Sequence, residues 1–543
     1  MDVGFVLYYV IGIAATFVPS MFAYNIALRR GWSVPRWLLV VAISCVPVFL
    51  LVAQLLKFTS LHMYVDVAHW LQLLQGIVET GIPYVESHAF IIPGTRNYFS
   101  VHFVPLTYLV AIPFALLPYP QTIFVLNIFV MSSAAIPLYL LARYRTGDRR
   151  FALLLAVLLL WYPTFQYLTL YEFEMLRFSI PILLWMLYAW ERQRIGWYYI
   201  CVVLAVLVRE EVGLTVAMVG VLLVLRRAWL HGIITTLFGL SAFTIITGLL
   251  MPLFRDGTYE HIALGAYDAF GRTPFAVAIG VLTHPIRMLT VAFHPVKLAN
   301  LAMLVIPLLG LPLLAPVALL PTLPTVAVGL LSASFAHSSY LLYYVAPAIP
   351  FLFLAVIEAW PRVTAWAAHR IHPQNHGAVV RAATTALLIG ALIVGVVFGP
   401  SPIALQFWSR AIRPAPFRTQ SFHWSTYRVT DHHRAAAEVV AAIPDGAIVS
   451  APQAFFPRLA RTRAIMVLPK LVTTDGSVHA GYAVVDETNN GLPPESPAFI
   501  DASERAVVTD SPSIWRAVIT RDGITLYRRM ADRSVGDMGA EEP

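Results

Sequence analysis

Charge is scarce in this chain. Only 12% of its 543 residues are charged while 59% are hydrophobic, whereas a soluble globular domain carries charge on about a quarter of its residues. That shortage excludes a water-soluble globule for most of the length and leaves lipid as the solvent. Cysteine is nearly missing too. Cys45 and Cys201 both sit inside apolar runs, so no disulfide can staple the more polar C-terminal region, even in an oxidising compartment. The chain also lacks a nucleotide-binding glycine pattern, a Walker motif and an HExxH helix. No internal repeat with matching broken helices appears, which argues against a secondary transporter. The N-terminus has neither a charged leader nor a cleavage site, so residues 3–28 read as a retained helix.

What is present is a series of apolar runs of about 17–25 residues, each long enough to cross a hydrocarbon core of roughly 30 Å. They recur from Val3 to about Pro400, and from Ser401 onward charges and turn formers return. Two domains follow: residues 1–400 as a transmembrane domain and 401–543 as a small external α/β domain. The net charge of +8 does not indicate nucleic acid, because the arginines cluster at the ends of apolar runs. These clusters are Arg29, Arg30 and Arg36; Arg143, Arg145, Arg149 and Arg150; Arg192 and Arg194; Arg226 and Arg227; and Arg362 and Arg370. All fit inside together under the positive-inside bias.

Threading the chain that way predicts an α-helical polytopic protein of about twelve spans. Residues 57–120 are then external, as are 254–295 and the C-terminal domain. Within the first external loop, Val67, Trp70, Leu71, Leu74, Ile77 and Val78 form one stripe opposite Asp66, His69, Gln72, Gln75 and Glu79. That spacing predicts an interfacial helix over 66–80. Residues 103–118 are short and hold three prolines, which suggests a second juxtamembrane or re-entrant helix. Two short runs, 196–208 and 212–225, meet at Arg209-Glu210-Glu211 and predict a broken pair around a polar cavity. In the C-terminal domain a helical stretch at 433–442 precedes β-branched runs at 446–450, 482–486, 506–508 and 524–527.

Charges at membrane depth are costly, about 2.5–3.5 kcal/mol each on insertion scales, so they usually face a cavity. Asp66, His102, Glu172, Glu174, Arg209, Glu210 and Glu211 all reach the external face in this threading. Plainer readings stand beside this one. Asp66 can cap its helix, His102 can anchor at the interface, and Glu172 and Glu174 can belong to a solvated loop. Three adjacent charges between two apolar runs, at 209–211, need partners under any reading.

The order Tyr64-Val65-Asp66, Ser100-Val101-His102-Phe103-Val104-Pro105, Leu138 to Arg143, Tyr171-Glu172-Phe173-Glu174 and Arg209-Glu210-Glu211 resembles a bacterial membrane-protein family, domain of unknown function 2079. Leu323-Pro324 to Leu331-Ser332 and Tyr343-Tyr344-Val345-Ala346-Pro347 resemble its closing helices. The resemblance implies a fold and reaction class: the GT-C glycosyltransferases, multi-spanning enzymes that take sugars from polyprenyl-phosphate carriers at the outer face of the inner membrane. It also implies an acidic base at Asp66 and functional carboxylates at Glu172. This chain departs from the family pattern in having Glu174 and Tyr343-Tyr344 where histidines are usual, and Arg209-Glu210-Glu211 for lysine-glutamate-aspartate.

Such a transfer needs a base for the acceptor hydroxyl and cationic groups for the departing phosphate. On this reading Asp66 is the base, with His102 as a supporting donor and Glu172 and Glu174 orienting sugar or acceptor. Arg209 is the leading phosphate partner, with Arg177 and Arg96 as further candidates, and Glu210 and Glu211 hold Arg209. A carboxylate at 174 is able to hold a divalent cation. The expected partners are a polyprenyl-phosphate-linked sugar, a glycan, lipid or protein acceptor, and membrane lipid. The rival is a non-catalytic scaffold of GT-C type that binds a lipid-linked glycan or cell-envelope partners.

Overall fold

The structure is a computed structural model that describes residues 3–31, 35–256, 262–371, 375–412, 421–473, 476–492, 496 and 498–530. Its described residues are mostly helical, with one small sheet. Among the described residues six helices are long and apolar enough to cross a membrane: Ile11–Arg30, Arg36–Thr59, Pro120–Thr146, Trp229–Leu253, Phe335–Arg370 and His376–Phe398. Two bent pairs raise the count to eight: Arg149–Trp161 with Pro163–Leu170 at 46°, and Phe275–Thr283 with Pro285–Ala292 at 101°. The predicted number of about twelve is therefore not reached by length and composition. Three expected spans are short helices, Ser179–Glu191, Ile195–Val206 and Val212–Leu225, and proline breaks up two more. Pro307, Pro312, Pro316, Pro321 and Pro324 divide residues 295–331 into short α and 3-10 pieces, because each proline removes a donor and clashes with the preceding turn. The same residue type bends the pair at 275–292, which lies in a stretch expected to be a mixed external loop.

Two compact units emerge, residues 1–54 with 99–426 and residues 55–98 with 427–543. In the first, large apolar side chains such as Leu230, Ile233, Leu237 and Leu249 stay exposed along the helix Trp229–Leu253, as a lipid-facing surface requires. Its other face packs on the helix Val212–Leu225 through small residues. A Cβ added at Gly220 would strike Thr236 and the Gly232 carbonyl, and one at Gly239 would strike the Gly213 carbonyl and Ala217. The two backbones approach this closely only because those side chains are absent. Helices Val3–Arg30 and His376–Phe398 pack through Tyr24, Ala27, Ala382 and Ala386.

The second unit is an α/β body around five strands: β1 (Ile448–Ala451), β2 (Ala464–Val467), β3 (Tyr482–Asp486), β4 (Trp515–Arg521) and β5 (Ile524–Arg529). Their order is β2-β1-β3-β5-β4, with β1 parallel to β2 and β3, and β5 antiparallel to β3 and β4. Asp522 (φ 45°) and Gly523 (φ 75°) close the β4–β5 hairpin, the positive-φ pair that matches strand twist. Alternation along β3 sends Val484 to one core, with Val439, Phe455, Phe456 and Leu526, and Ala483 and Val485 to the other, with Trp515. Residues 506–508, read as a strand from their branched side chains, lie in the helix Ala502–Thr509. Asp501 and Glu504 start it with a reciprocal capping box.

Residues 55–98 belong to this α/β body. The helix Val65–Thr80 buries Val67, Ala68, Trp70, Leu71, Leu73 and Leu74, and also His69 and Gln72 from its polar side. Ala68 and Leu61 join the same core as Val439 and Phe455. Ser87 Oγ accepts from the Ile465 N–H at 2.8 Å, satisfying part of the edge strand β2. Lys470 Nζ donates to the Phe90 carbonyl at 2.6 Å, Arg458 Nη2 to that of Thr59 at 2.6 Å, and Asn490 Nδ2 to that of Ser60 at 2.9 Å. The interfacial reading of 66–80 is thus corrected. An apolar stripe of this kind is buried equally well by protein and by lipid, and here Val67, Trp70, Leu71 and Leu74 are buried within the protein while Ala68 and Gln72 meet the α/β body.

Candidate functional site

The helical unit carries the densest group of buried charges. Helices Ile195–Val206 and Val212–Leu225 are separated by a non-helical break at 207–211, and Arg209, Glu210 and Glu211 occupy it. Arg209 is only 5% exposed at its side chain. Its Nε lies 2.9 Å from Glu211 Oε2 and 3.8 Å from Glu210 Oε1, and its Nη1 lies 3.5 Å from Glu174 Oε1. Glu210 in turn ties down the segment that follows Ser100. His102 Nδ1 stands 2.8 Å from its Oε1, and the Phe103 N–H donates to its Oε2 at 2.9 Å. The Leu106 N–H also donates to the Leu207 carbonyl. His102 at 17% and Glu211 at 28% side-chain exposure form the more open edge.

Tyrosines line another side. The guanidinium carbon of Arg209 lies 5.7 Å from the Tyr343 ring centre and 5.9 Å from that of Tyr344, within cation–π range. Tyr171 packs on Tyr343, and His337 packs edge-on against Tyr344 and stacks on Tyr267. Lys297 braces this wall from behind. Buried, it donates from Nζ to the carbonyls of Val291, Leu330 and Ser332, and Ser332 Oγ is 2.7 Å from His337 Nδ1.

The expected site residues distribute unevenly. His102, Glu174, Arg209, Glu210 and Glu211 come together in the helical unit. Glu172 is buried in the same loop, where its carbonyl accepts from Arg177 Nη2. Arg177 is fully buried, and its Nη1 donates to Asn127 Oδ1 and the Thr169 carbonyl. That network makes it an internal brace for the loop holding Glu172 and Glu174. Glu174 Oε1 also caps the following 3-10 turn at Leu176 N. Asp66 and Arg96 are carried by the other unit. Asp66 is half-buried in the first turn of the helix Val65–Thr80. Arg96 is half-exposed, 2.6 Å from Glu86 and over the Tyr84 ring. Residues His337, Tyr267 and Lys297 were not singled out from the sequence. The one available signal was a lone lysine and histidines within an otherwise apolar stretch.

The family model described as Predicted membrane protein (DUF2079) matches residues 66–487. The chain belongs to this DUF2079 family. The match takes in every residue of the Arg209 cluster and most of the α/β unit, and with the six to eight candidate spans it makes this DUF2079 chain a membrane protein. No curated protein matches it.

Proposed function

We propose that this DUF2079 protein transfers a sugar from a polyprenyl-phosphate carrier to an acceptor at the outer face of the bacterial inner membrane, on a GT-C-like scaffold of about twelve spans with the α/β unit outside. The observation that carries the reading is Arg209: a guanidinium buried at a helix break, among carboxylates, with tyrosine rings beside it. A guanidinium in a low-dielectric setting is suited to a departing phosphate, and tyrosine faces suit the apolar faces of a sugar ring. Apolar helices around such a site give a polyprenyl tail its solvent. In this scheme Asp66 is the base that takes the acceptor proton, Glu172 and Glu174 orient sugar or acceptor, and His102 supports them.

The second reading is a non-catalytic scaffold that holds a lipid-linked glycan or envelope partners. It is favoured by Arg177, whose donors go to the protein's own loop, and by the three carboxylates that already surround Arg209. Purified protein incubated with labelled polyprenyl-phosphate hexoses and pentoses, with envelope extract as acceptor, separates the two. Transfer yields a labelled product other than the donor. Tight donor binding with the label left on the carrier supports the scaffold.

A further inference from the structure

Among the described residues, His102, Glu210 and Glu211 form a group whose ligand atoms all lie within 4.8 Å of one another. We propose that these three side chains hold a divalent transition-metal cation, which would bridge to the donor phosphate beside Arg209. The bridging role rests on the transfer reading above, while the cation site itself does not.

Spacing is the first argument. Two ligands at right angles around a cation, with bonds of roughly 2.0–2.1 Å, stand about 3 Å apart. His102 Nδ1 and Glu210 Oε1 stand at 2.8 Å, and a carboxylate oxygen of Glu211 lies within 4.8 Å of the other two ligand atoms. Charge is the second. Glu210 and Glu211 are adjacent carboxylates that share one guanidinium, and a cation between them would offset their mutual repulsion. Access is the third, since His102 and Glu211 are the more exposed members and leave a path for a hydrated ion.

Arg209 supplies an independent observation. Its side chain is almost wholly buried, yet Nη1 has no hydrogen-bond partner, and Nε is off the hydrogen-bonding line to Glu211 despite the short ion-pair distance. A buried guanidinium with open donors beside a cation-ligand group is suited to an anionic oxygen. A phosphate bound to the cation would satisfy both it and the ion. The imidazole in the ligand set favours a first-row transition metal over Mg2+ or Ca2+, which prefer oxygen alone.

The test uses the full chain in detergent, stripped with chelator and titrated with Mn2+ while free ion is followed by electron paramagnetic resonance, without any sugar donor. One Mn2+ per chain is expected, displaced by Zn2+, with nitrogen hyperfine coupling from the imidazole. His102→Gln should abolish that coupling, and both His102→Gln and Glu211→Gln should weaken binding at least tenfold. Glu86→Gln, in the other unit, should bind as the parent does. An unchanged melting temperature shows that the variants fold, and the coupling identifies the ligand even where stability falls. Failure to bind Mn2+ or Zn2+ at one per chain, or binding unchanged in either site variant, overturns the proposal. Cation binding without sugar transfer upholds this site and counts against the transfer reading. Transfer by chelator-stripped protein upholds the transfer reading and overturns the bridging role of the cation.

Discussion

Arg209 shows why a few residues dominate this molecule. A charge in an apolar setting needs partners, and here Glu174, Glu210 and Glu211 converge on it from two separate stretches of chain. The tripeptide at 209–211 was legible in the sequence because charges between two apolar runs are rare and costly. Tyr267 and His337 were not, because an aromatic or a histidine within apolar sequence carries no signal until folding brings it beside Tyr344. Arg177 carries a second lesson: its Nη1 and Nη2 donate to carbonyls and Asn127, contacts that are invisible in a one-dimensional pattern. At this scale the account predicts that Asp66→Asn, which keeps shape and removes basicity, lowers turnover by about 10²–10⁴-fold. Donor binding should stay nearly intact. Steady-state rates together with a donor-binding isotherm check this, and near-parental turnover would remove Asp66 as the base.

Elements were readable where the periodicity has one interpretation. The helix expected at 433–442 is found at Asp431–Ala441, and the run 482–486 is β3. Elsewhere one pattern serves two environments. The stripe on Val65–Thr80 fits lipid or a protein interior, and the Ala-Val-Val run at 506–508 fits a strand or, after the Asp501–Glu504 box, a helix. The strands β2 and β4 went unread, β2 being four residues long and β4 mostly exposed.

Two predictions belong to elements. In the helix pair Val212–Leu225 and Trp229–Ile245, Gly220→Leu forces the backbones apart and should cost about 1–3 kcal/mol. A lowered melting temperature of the detergent-solubilised protein reports it, and an unchanged value would contradict the close packing.

The second concerns His432, whose Nε2 is 3.3 Å from Asp486 and whose Nδ1 is 3.1 Å from Asp522. The Asp486 hydrogen bond raises its pKa above the usual histidine value despite burial. Its contribution is therefore fully present below about pH 6.5, the ordinary histidine pKa, and is lost as pH rises through the raised value. Neighbouring His433 is pushed down, mainly by burial, and His69 to about 3 for the same reason, so both destabilise the fold as pH falls below about 6.5. Stability of the α/β unit should peak near there. Hydrogen exchange of β3 and β5 amides against pH should show His432→Gln flattening the alkaline limb only. A variant with the parent's alkaline slope would exclude His432 as the cause.

At the scale of the whole molecule, composition alone indicated a membrane protein with a separate C-terminal domain. Length and composition alone mark six to eight spans among the described residues, fewer than the apolar runs indicated, because several runs form short helices and prolines between 305 and 325 divide others. Nor could a linear reading show that residues 55–98 fold with 427–543, since such contacts join segments more than 300 residues apart. The proposed orientation is open to a direct check. In a background lacking Cys45 and Cys201, cysteines replacing the exposed Thr80 and Ser513 should react with an impermeant maleimide in intact cells. One replacing Gln193, between Arg192 and Arg194, should react only after lysis. The opposite pattern would place the α/β unit inside.

The most direct measurement is loss of labelled sugar from a polyprenyl-phosphate donor in proteoliposomes containing either the parent protein or Arg209→Ala, each with envelope extract as acceptor. The account predicts that label leaves the carrier for a new product with the parent and stays on the carrier with the variant. Equal transfer by the two proteins, or none by either across hexose and pentose donors, would contradict it.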